Sequence, residues 1–196
     1  MKESPVITKI EAIHYSHTLN EVGRDYNTFN MVYEPGGTSE QSGSLVRIHT
    51  DQGLIGEYPD VNDPTLAEIK ILGSYLIGKN ALAREPIYND LKRGSRHWAM
   101  LGMGIIDICL WDIAGKFYEE PLFRLLGGEL QPLKAYASTL HGDENGGLST
   151  TADFQDFAHE CLQMGYQAFK VHGWGLAREN ITREVENVLN LGNKFE

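Results

Sequence analysis

The chain has 196 residues, with 17 basic against 27 acidic side chains and a formal net charge of −10. That balance, with no basic stripe, argues against a nucleic-acid partner. A hydrophobic content of 41% and a charged content of 22% are ordinary for a soluble globular protein. Cys109 and Cys161 are the only cysteines and both fall in apolar helical patterns, so they read as buried, reduced thiols. The N-terminal stretch lacks the apolar core of a secretory signal, and no segment suits a bilayer span. A cytoplasmic protein without a membrane partner is the expectation.

Val6 to Tyr15 reads as a strand, with Val6, Thr8, Ile10 and Ala12 on one face and Lys9 and Glu11 on the other. Ser16 to Ser42 follows, rich in Gly, Asn, Ser and Thr and carrying Arg24, Tyr26, Phe29 and Tyr33. It reads as a long loop, either a lid or a floppy insert; its aromatics and arginine suit a lid that touches a ligand. Leu45 to Thr50 and Leu54 to Tyr58 are short strands joined by Asp51-Gln52-Gly53, a hairpin signal. Asp63-Pro64 gives an N-cap and a proline at the first helical position, ahead of the stripe Leu66, Ile69, Leu72 and Leu76. A shorter helix is expected around Pro86 to Lys92.

From Trp98 to Phe117 almost every position is apolar or small, apart from Asp107, Asp112 and Lys116. Two central aspartates, costing roughly 2.5–3.5 kcal/mol each on insertion, exclude a membrane span. The spacing predicts a helix covered on several sides, with Asp112 and Lys116 paired at i, i+4. Gly102, Gly104, Ala114 and Gly115 would let neighbouring backbones come close. Pro121 opens a short helix that Gly127-Gly128 ends. Strands followed by helices make an α+β domain over residues 1–128.

Beyond Gly128 the pattern becomes strand, helix, strand, helix. These are Leu133 to Thr139, Thr151 to Met164, Ala168 to His172 and Asn180 to Leu191, the last with Ile181, Val185, Val188 and Leu189 inward. Such alternation marks a parallel sheet or a barrel over residues 129–196.

In Ala168 to His172, Phe169 and Val171 share one face, while Ala168, Lys170 and His172 share the other. In a barrel the second face is the interior, and active sites lie at the C-terminal strand ends. Burial would lower the lysine pKa toward the range of a general base. An edge strand with both residues in water fits the same five residues equally well. Trp174, between two glycines, could stand over a pocket mouth or simply pack. His14, His17, His97 and His141 have no companion at metal-ligand spacing and read as surface or satisfied histidines. Asp143-Glu144 reads as a solvated turn.

The stretch IDICLWDIAGKFYEEPLFRLLGG resembles a signature of the enolase superfamily, in its mandelate racemase and muconate lactonizing enzyme branch. TDQGLIGEYP resembles that family's hairpin, LKAYAST its first barrel strand and GYQAFKVHGWG its second. The resemblance implies an α+β capping domain, a three-stranded antiparallel meander plus helices, followed by the first βα units of an incomplete (β/α) TIM-type barrel. It implies removal of a proton alpha to a carboxylate, with Mg²⁺ holding the enediolate and a Lys or His base.

Lys170 matches the first lysine of the branch's Lys-x-Lys, and His172 replaces the second, usually the base. A neutral imidazole can also accept a proton. Arg24 and Tyr26 match the capping-loop region that contacts substrate, and Trp174 follows the second strand. The Mg²⁺ ligands implied by the resemblance are acidic residues on later strands, expected beyond Glu196, so no residue here is assigned to metal. The chain is therefore expected to be the N-terminal half of an acid-sugar dehydratase, inactive alone and homo-oligomeric when complete. A racemase or epimerase of the same family, or a catalytically incompetent, self-associating fragment, are the alternatives.

Overall fold

Strand β1 (Ile7–Arg24) runs into β2 (Met31–Thr50) and β3 (Ile55–Val61), in the sheet order β1-β2-β3. The structure, a computed structural model, describes residues 3–25, 28–142, 147–174 and 180–193. Helices α1 (Asp63–Leu76), α2 (Arg84–Gly94), α3 (Leu101–Tyr118) and α4 (Leu122–Leu125) follow. Then come β4 (Ala137–Ser138), α5 (Thr151–Gln163), β5 (Phe169–Lys170) and α6 (Ile181–Gly192). The chain divides into two units, Met1–Ser16 with Ser42–Leu130, and His17–Gln41 with Gln131–Glu196. Among the described residues no helix is long and apolar enough to cross a membrane.

The first unit is an antiparallel sheet covered by helices. β2 and β3 pair with Val46 opposite Tyr58 and Ile48 opposite Gly56. Alternation along β2 turns Val46 and Ile48 inward, onto Ile69, Leu72 and Leu76 of α1 and onto Ile106, Leu110 and Ile113 of α3. At the start of β1 the buried residue is Ile7, not the Val6 and Thr8 face expected from alternation. Its backbone N–H donates to Lys79 O at 2.9 Å, and its carbonyl accepts from Gly78 N at 2.8 Å, which turns the Ile7 side chain to the core. Asn62, rather than Asp63, caps α1: its side chain accepts from Thr65 N at 3.0 Å.

Helix α3 starts at Leu101, so Trp98 lies outside it. Leu101, Ile108 and Tyr118 are exposed, and no described residue gives them the cover expected on several sides. Packing on β3 explains the apolar content of the helix's buried side. Lys116 Nζ donates to Asp112 Oδ2 at 2.7 Å and to Ile55 O at 2.6 Å, and Glu57 N donates to Asp112 Oδ2 at 3.0 Å. The Asp112–Lys116 pair therefore ties the helix to the backbone of β3. Gly102 does admit a neighbour, since an added Cβ would lie 2.7 Å from Glu68 Cβ, whereas nothing lies within 4 Å of one on Gly104.

In the second unit, residues 17–24 and 31–41 are the distal arms of β1 and β2, a ribbon where a loop was expected over Ser16 to Ser42. Its end is closed by Asp25, whose carboxylate accepts from Asn30 N at 3.2 Å and Asn30 Nδ2 at 2.7 Å. Polar strand residues hide such a ribbon from a pattern search, because neither face need be apolar. Tyr33 of the ribbon stacks edge-on against Phe157 of α5 at 5.4 Å, and Gly147 N donates to Tyr33 O at 2.9 Å.

Strands β4 and β5 are parallel, with Ala137 opposite Phe169 and Ser138 opposite Lys170. They are shorter than Leu133 to Thr139 and Ala168 to His172, but hydrogen bonds continue past them. α5 begins with a capping box: Thr150 accepts from Asp153 N at 3.2 Å, and Asp153 accepts from Thr150 N at 2.8 Å. Phe154, Ala158, Trp174 and Leu191 form the core, with Phe169 and Val171 against it. α6 departs most from expectation. Asn187 and Leu191 are its buried residues, while Ile181, Val185, Val188 and Leu189 are exposed. Periodicity reveals an apolar face but not what covers it, and no described residue covers this one. Asn187 is fully buried, with neither side-chain polar atom hydrogen-bonded among the described residues.

Candidate active site

Phe169 and Val171 pack on the core of the second unit, which leaves Lys170 and His172 on the other face of the same strand. Lys170 is exposed and His172 half-buried. The strand end is fixed from the side by its neighbour. Thr139 N donates to Lys170 O at 3.1 Å, His172 N donates to Thr139 Oγ1 at 2.9 Å, and Gly142 N donates to Gly173 O at 3.2 Å. Burial is the main cause holding His172 below the ordinary imidazole pKa. The Lys170 charge and then His141 push in the same direction. A depressed pKa keeps the ring neutral at physiological pH, with a lone pair able to take a proton.

The sequence reads His141 as a surface or satisfied histidine, because nothing near it in the chain has ligand spacing. The parallel pairing brings it beside His172, with ring centroids 5.0 Å apart and planes at 66°. Its backbone also bridges Val32 on the ribbon. Only the register of β4 against β5 could have revealed this pairing, and register between strands thirty residues apart is not written in either one.

Trp174 does not stand over a pocket mouth. It is buried, with Phe154 edge-on at 5.0 Å and its indole N–H donating to Leu148 O at 2.9 Å. Its backbone N–H donates to Glu184 Oε1 at 2.9 Å, and the ring packs in the core of the second unit. Arg24 is exposed on the ribbon and donates to Gln41 Oε1 at 3.2 Å. Tyr26 lies outside the described residues, as do Asp143 and Glu144.

A cavity of about 350 Å³ opens between the ribbon and α5, against Tyr33, Leu148 and Phe157. Among the described residues five carboxylates line it, those of Glu21, Glu34, Asp153, Asp156 and Glu160, and no basic group does. That charge repels an anionic substrate, and neither Lys170 nor His172 lies in its wall. The strand ends carry an ammonium, that of Lys170, and the imidazoles of His141 and His172 instead.

A three-stranded antiparallel sheet with helices, followed by two parallel strands, is like the N-terminal capping domain and barrel start of enolase-superfamily proteins. The chain belongs to the mandelate racemase / muconate lactonizing enzyme family: the model of that family's N-terminal domain matches residues 23–127. A D-galactarolactone cycloisomerase from Agrobacterium fabrum is 31% identical over 144 residues, which cover 69% of this chain and 38% of that protein. A D-mannonate dehydratase from Rhizorhabdus wittichii is 31% identical over 139 residues, 64% of this chain and 32% of that protein. The solved D-glucarate dehydratase from Agrobacterium tumefaciens, complexed with magnesium, superposes with a TM-score of 0.79 at 24% identity. That superposition covers 95% of this chain and 50% of the other. The chain thus spans about a third to a half of the length of the proteins it matches.

Proposed function

We propose that this chain contributes the proton-abstracting part of an acid-sugar dehydratase, acting on a small-molecule carboxylate. The observation that carries it is the face shared by Lys170 and His172 opposite the core residues Phe169 and Val171, with the imidazole biased toward its neutral form. Lys170 pairs with the substrate carboxylate and holds it in place. His172 takes the proton from the adjacent carbon, whose C–H electron pair delocalises onto the carboxylate. The β-hydroxyl then departs as water, taking the proton that His172 received, and the enol that remains tautomerises to a 2-keto acid. The dehydratases and the cycloisomerase among its relatives support this chemistry. Racemisation or epimerisation, which shares the first step, is the second reading, supported by the family itself.

Magnesium accompanies the related D-glucarate dehydratase. When bound it supplies charge to stabilise the carboxylate-derived oxyanions. Such a cation wants about six oxygen ligands. Among the described residues no group of three or more His, Cys, Asp or Glu could hold a metal, and the strand ends offer nitrogen bases and an ammonium instead. These residues do not fit magnesium, so their part is to bind the carboxylate and move the proton. We place the protein in the cytoplasm on its two buried free thiols, and as a homo-oligomer by analogy with the family. Residues 1–128 are proposed as the capping domain and 129–196 as the start of the barrel.

The test is a panel of acid sugars incubated with the full-length protein and Mg²⁺. Accumulation of a 2-keto acid supports dehydration. Stereochemical inversion without keto product shifts the assignment to the racemase reading. Neither product, and no exchange of the alpha proton with solvent, refutes both.

A further inference from the structure

We propose that Thr139 is a positioning residue for His172: its side-chain hydroxyl, in place of the main chain, holds the His172 N–H at the end of the second parallel strand and so sets where the imidazole stands beside the substrate. The inference rests on the proposed role of His172 and adds a residue to it.

Parallel strands exchange evenly spaced hydrogen bonds, so the donors on one strand recur at every second residue. Ala137 N donates to Ala168 O at 3.0 Å and Thr139 N to Lys170 O at 3.1 Å, which keeps that rhythm. The next donor among the described residues is Gly142, whose N–H reaches Gly173 O at 3.2 Å, one residue late. The ladder therefore changes phase between Thr139 and Gly142, and His172 lies opposite the change. A regular ladder would offer His172 N the main-chain carbonyl of Thr139. It donates instead to Thr139 Oγ1 at 2.9 Å. Thr139 is buried, which keeps water from competing for the hydroxyl, and its branched Cβ restricts χ1.

The two site residues are thus held by different parts of Thr139. Lys170 is held through its carbonyl by a main-chain N–H, which every residue except proline supplies. His172 is held by the side chain. Without the hydroxyl, the His172 N–H is free to turn to the Thr139 carbonyl, and that rotation of the peptide carries the imidazole with it. A change of side chain at Thr139 should therefore move the base and leave the lysine in place. A reacting group displaced by about 1 Å costs up to about a hundredfold in rate.

The test compares Thr139→Val, which keeps the shape and removes the acceptor, with Thr139→Ser, which keeps the acceptor. Both are made in the full-length protein and assayed in D₂O with Mg²⁺ on an acid sugar that it turns over. Thr139→Val should lower kcat and alpha-proton exchange by about ten- to a hundredfold, with KM within about twofold of the parent. Thr139→Ser should stay within about threefold of the parent in both. Hydrogen exchange of the His172 amide, read by mass spectrometry, should quicken about tenfold in Thr139→Val and not in Thr139→Ser. Thr139→Ala carries the same expectations should the valine variant not fold. An unchanged rate in Thr139→Val, an equal loss in the serine variant, or a rise in KM matching the fall in kcat refutes the positioning role. Exchange of the substrate proton retained in His172→Ala withdraws the base role itself. The amide exchange at His172 does not depend on turnover, so the two failures are told apart.

Discussion

Gly56 is where β3 touches α3, and a single methyl there should be costly. A Cβ built on it falls 2.0 Å from Cys109 O, 2.8 Å from Cys109 C and 2.9 Å from Ile113 Cγ1. Two of the three obstacles are backbone atoms, so no rotamer change relieves the contact, and strand and helix must separate by more than about 1 Å to reach ordinary van der Waals distance. The flanking residues hold the same seam, through Glu57 N to Asp112 and Lys116 to Ile55 O. Overpacking of this kind costs about 1–3 kcal/mol, and weakening two hydrogen bonds adds about 1 kcal/mol each. Reduced freedom of the unfolded chain returns about 0.4–1 kcal/mol. Gly56→Ala should therefore lose about 2–5 kcal/mol. Gly104→Ala is the control: it is inside the same helix with nothing near its Cβ, and should gain about 0.5–1 kcal/mol. Urea unfolding followed by fluorescence, with hydrogen exchange of α3 as a local probe, reads both. A Gly56→Ala midpoint within error of the parent, or equal effects at the two glycines, would refute the argument from close approach.

Thr150→Ala removes the acceptor for Asp153 N and should cost about 1 kcal/mol in thermal unfolding. The Asp153 carboxyl is held below its ordinary pKa chiefly by its hydrogen bond with Thr150, so its contribution is present above pH about 4 and is lost as pH falls through the folded-state value. That acid-limb dependence should flatten in Thr150→Ala. Asn187→Leu replaces a buried amide with no hydrogen bond among the described residues and should stabilise the second unit by about 1–3 kcal/mol; a destabilised variant would mean the amide is satisfied. Burial pushes the Cys109 thiol up to about 12, with Asp112 and Glu57 adding to it, so a thiol-specific reagent at pH 8 should label it only on unfolding.

Long apolar patterns carried most of the fold into view. The Asp112–Lys116 pair, the proline-initiated α1, and α5 with its stripe Phe154, Ala158 and Cys161 all follow from local spacing, because each is decided within a turn or two of helix. Contacts between distant segments were not legible. Gly56 gave no signal, since its requirement comes from Cys109, and Gly104 looked equivalent to Gly102 although only Gly102 meets a neighbour. The ribbon over residues 17–24 and 31–41 lacked an apolar face to announce it. At the site, alternation placed Lys170 and His172 together, because facing is a local property of a strand. Of the two readings open for Trp174, packing against Phe154 is the one seen, and His141, read as a surface or satisfied histidine, meets His172 through the strand register.

The central claim is that His172 removes the proton alpha to a carboxylate. Proton NMR of an acid sugar that the full-length protein turns over, recorded in D₂O with Mg²⁺, tests it most directly. The native protein should wash deuterium into the alpha position or the product. His172→Ala should lower that exchange by at least about a hundredfold, the usual contribution of a positioned base, while still binding the substrate carboxylate through Lys170. Exchange persisting near the native rate in His172→Ala would contradict the claim.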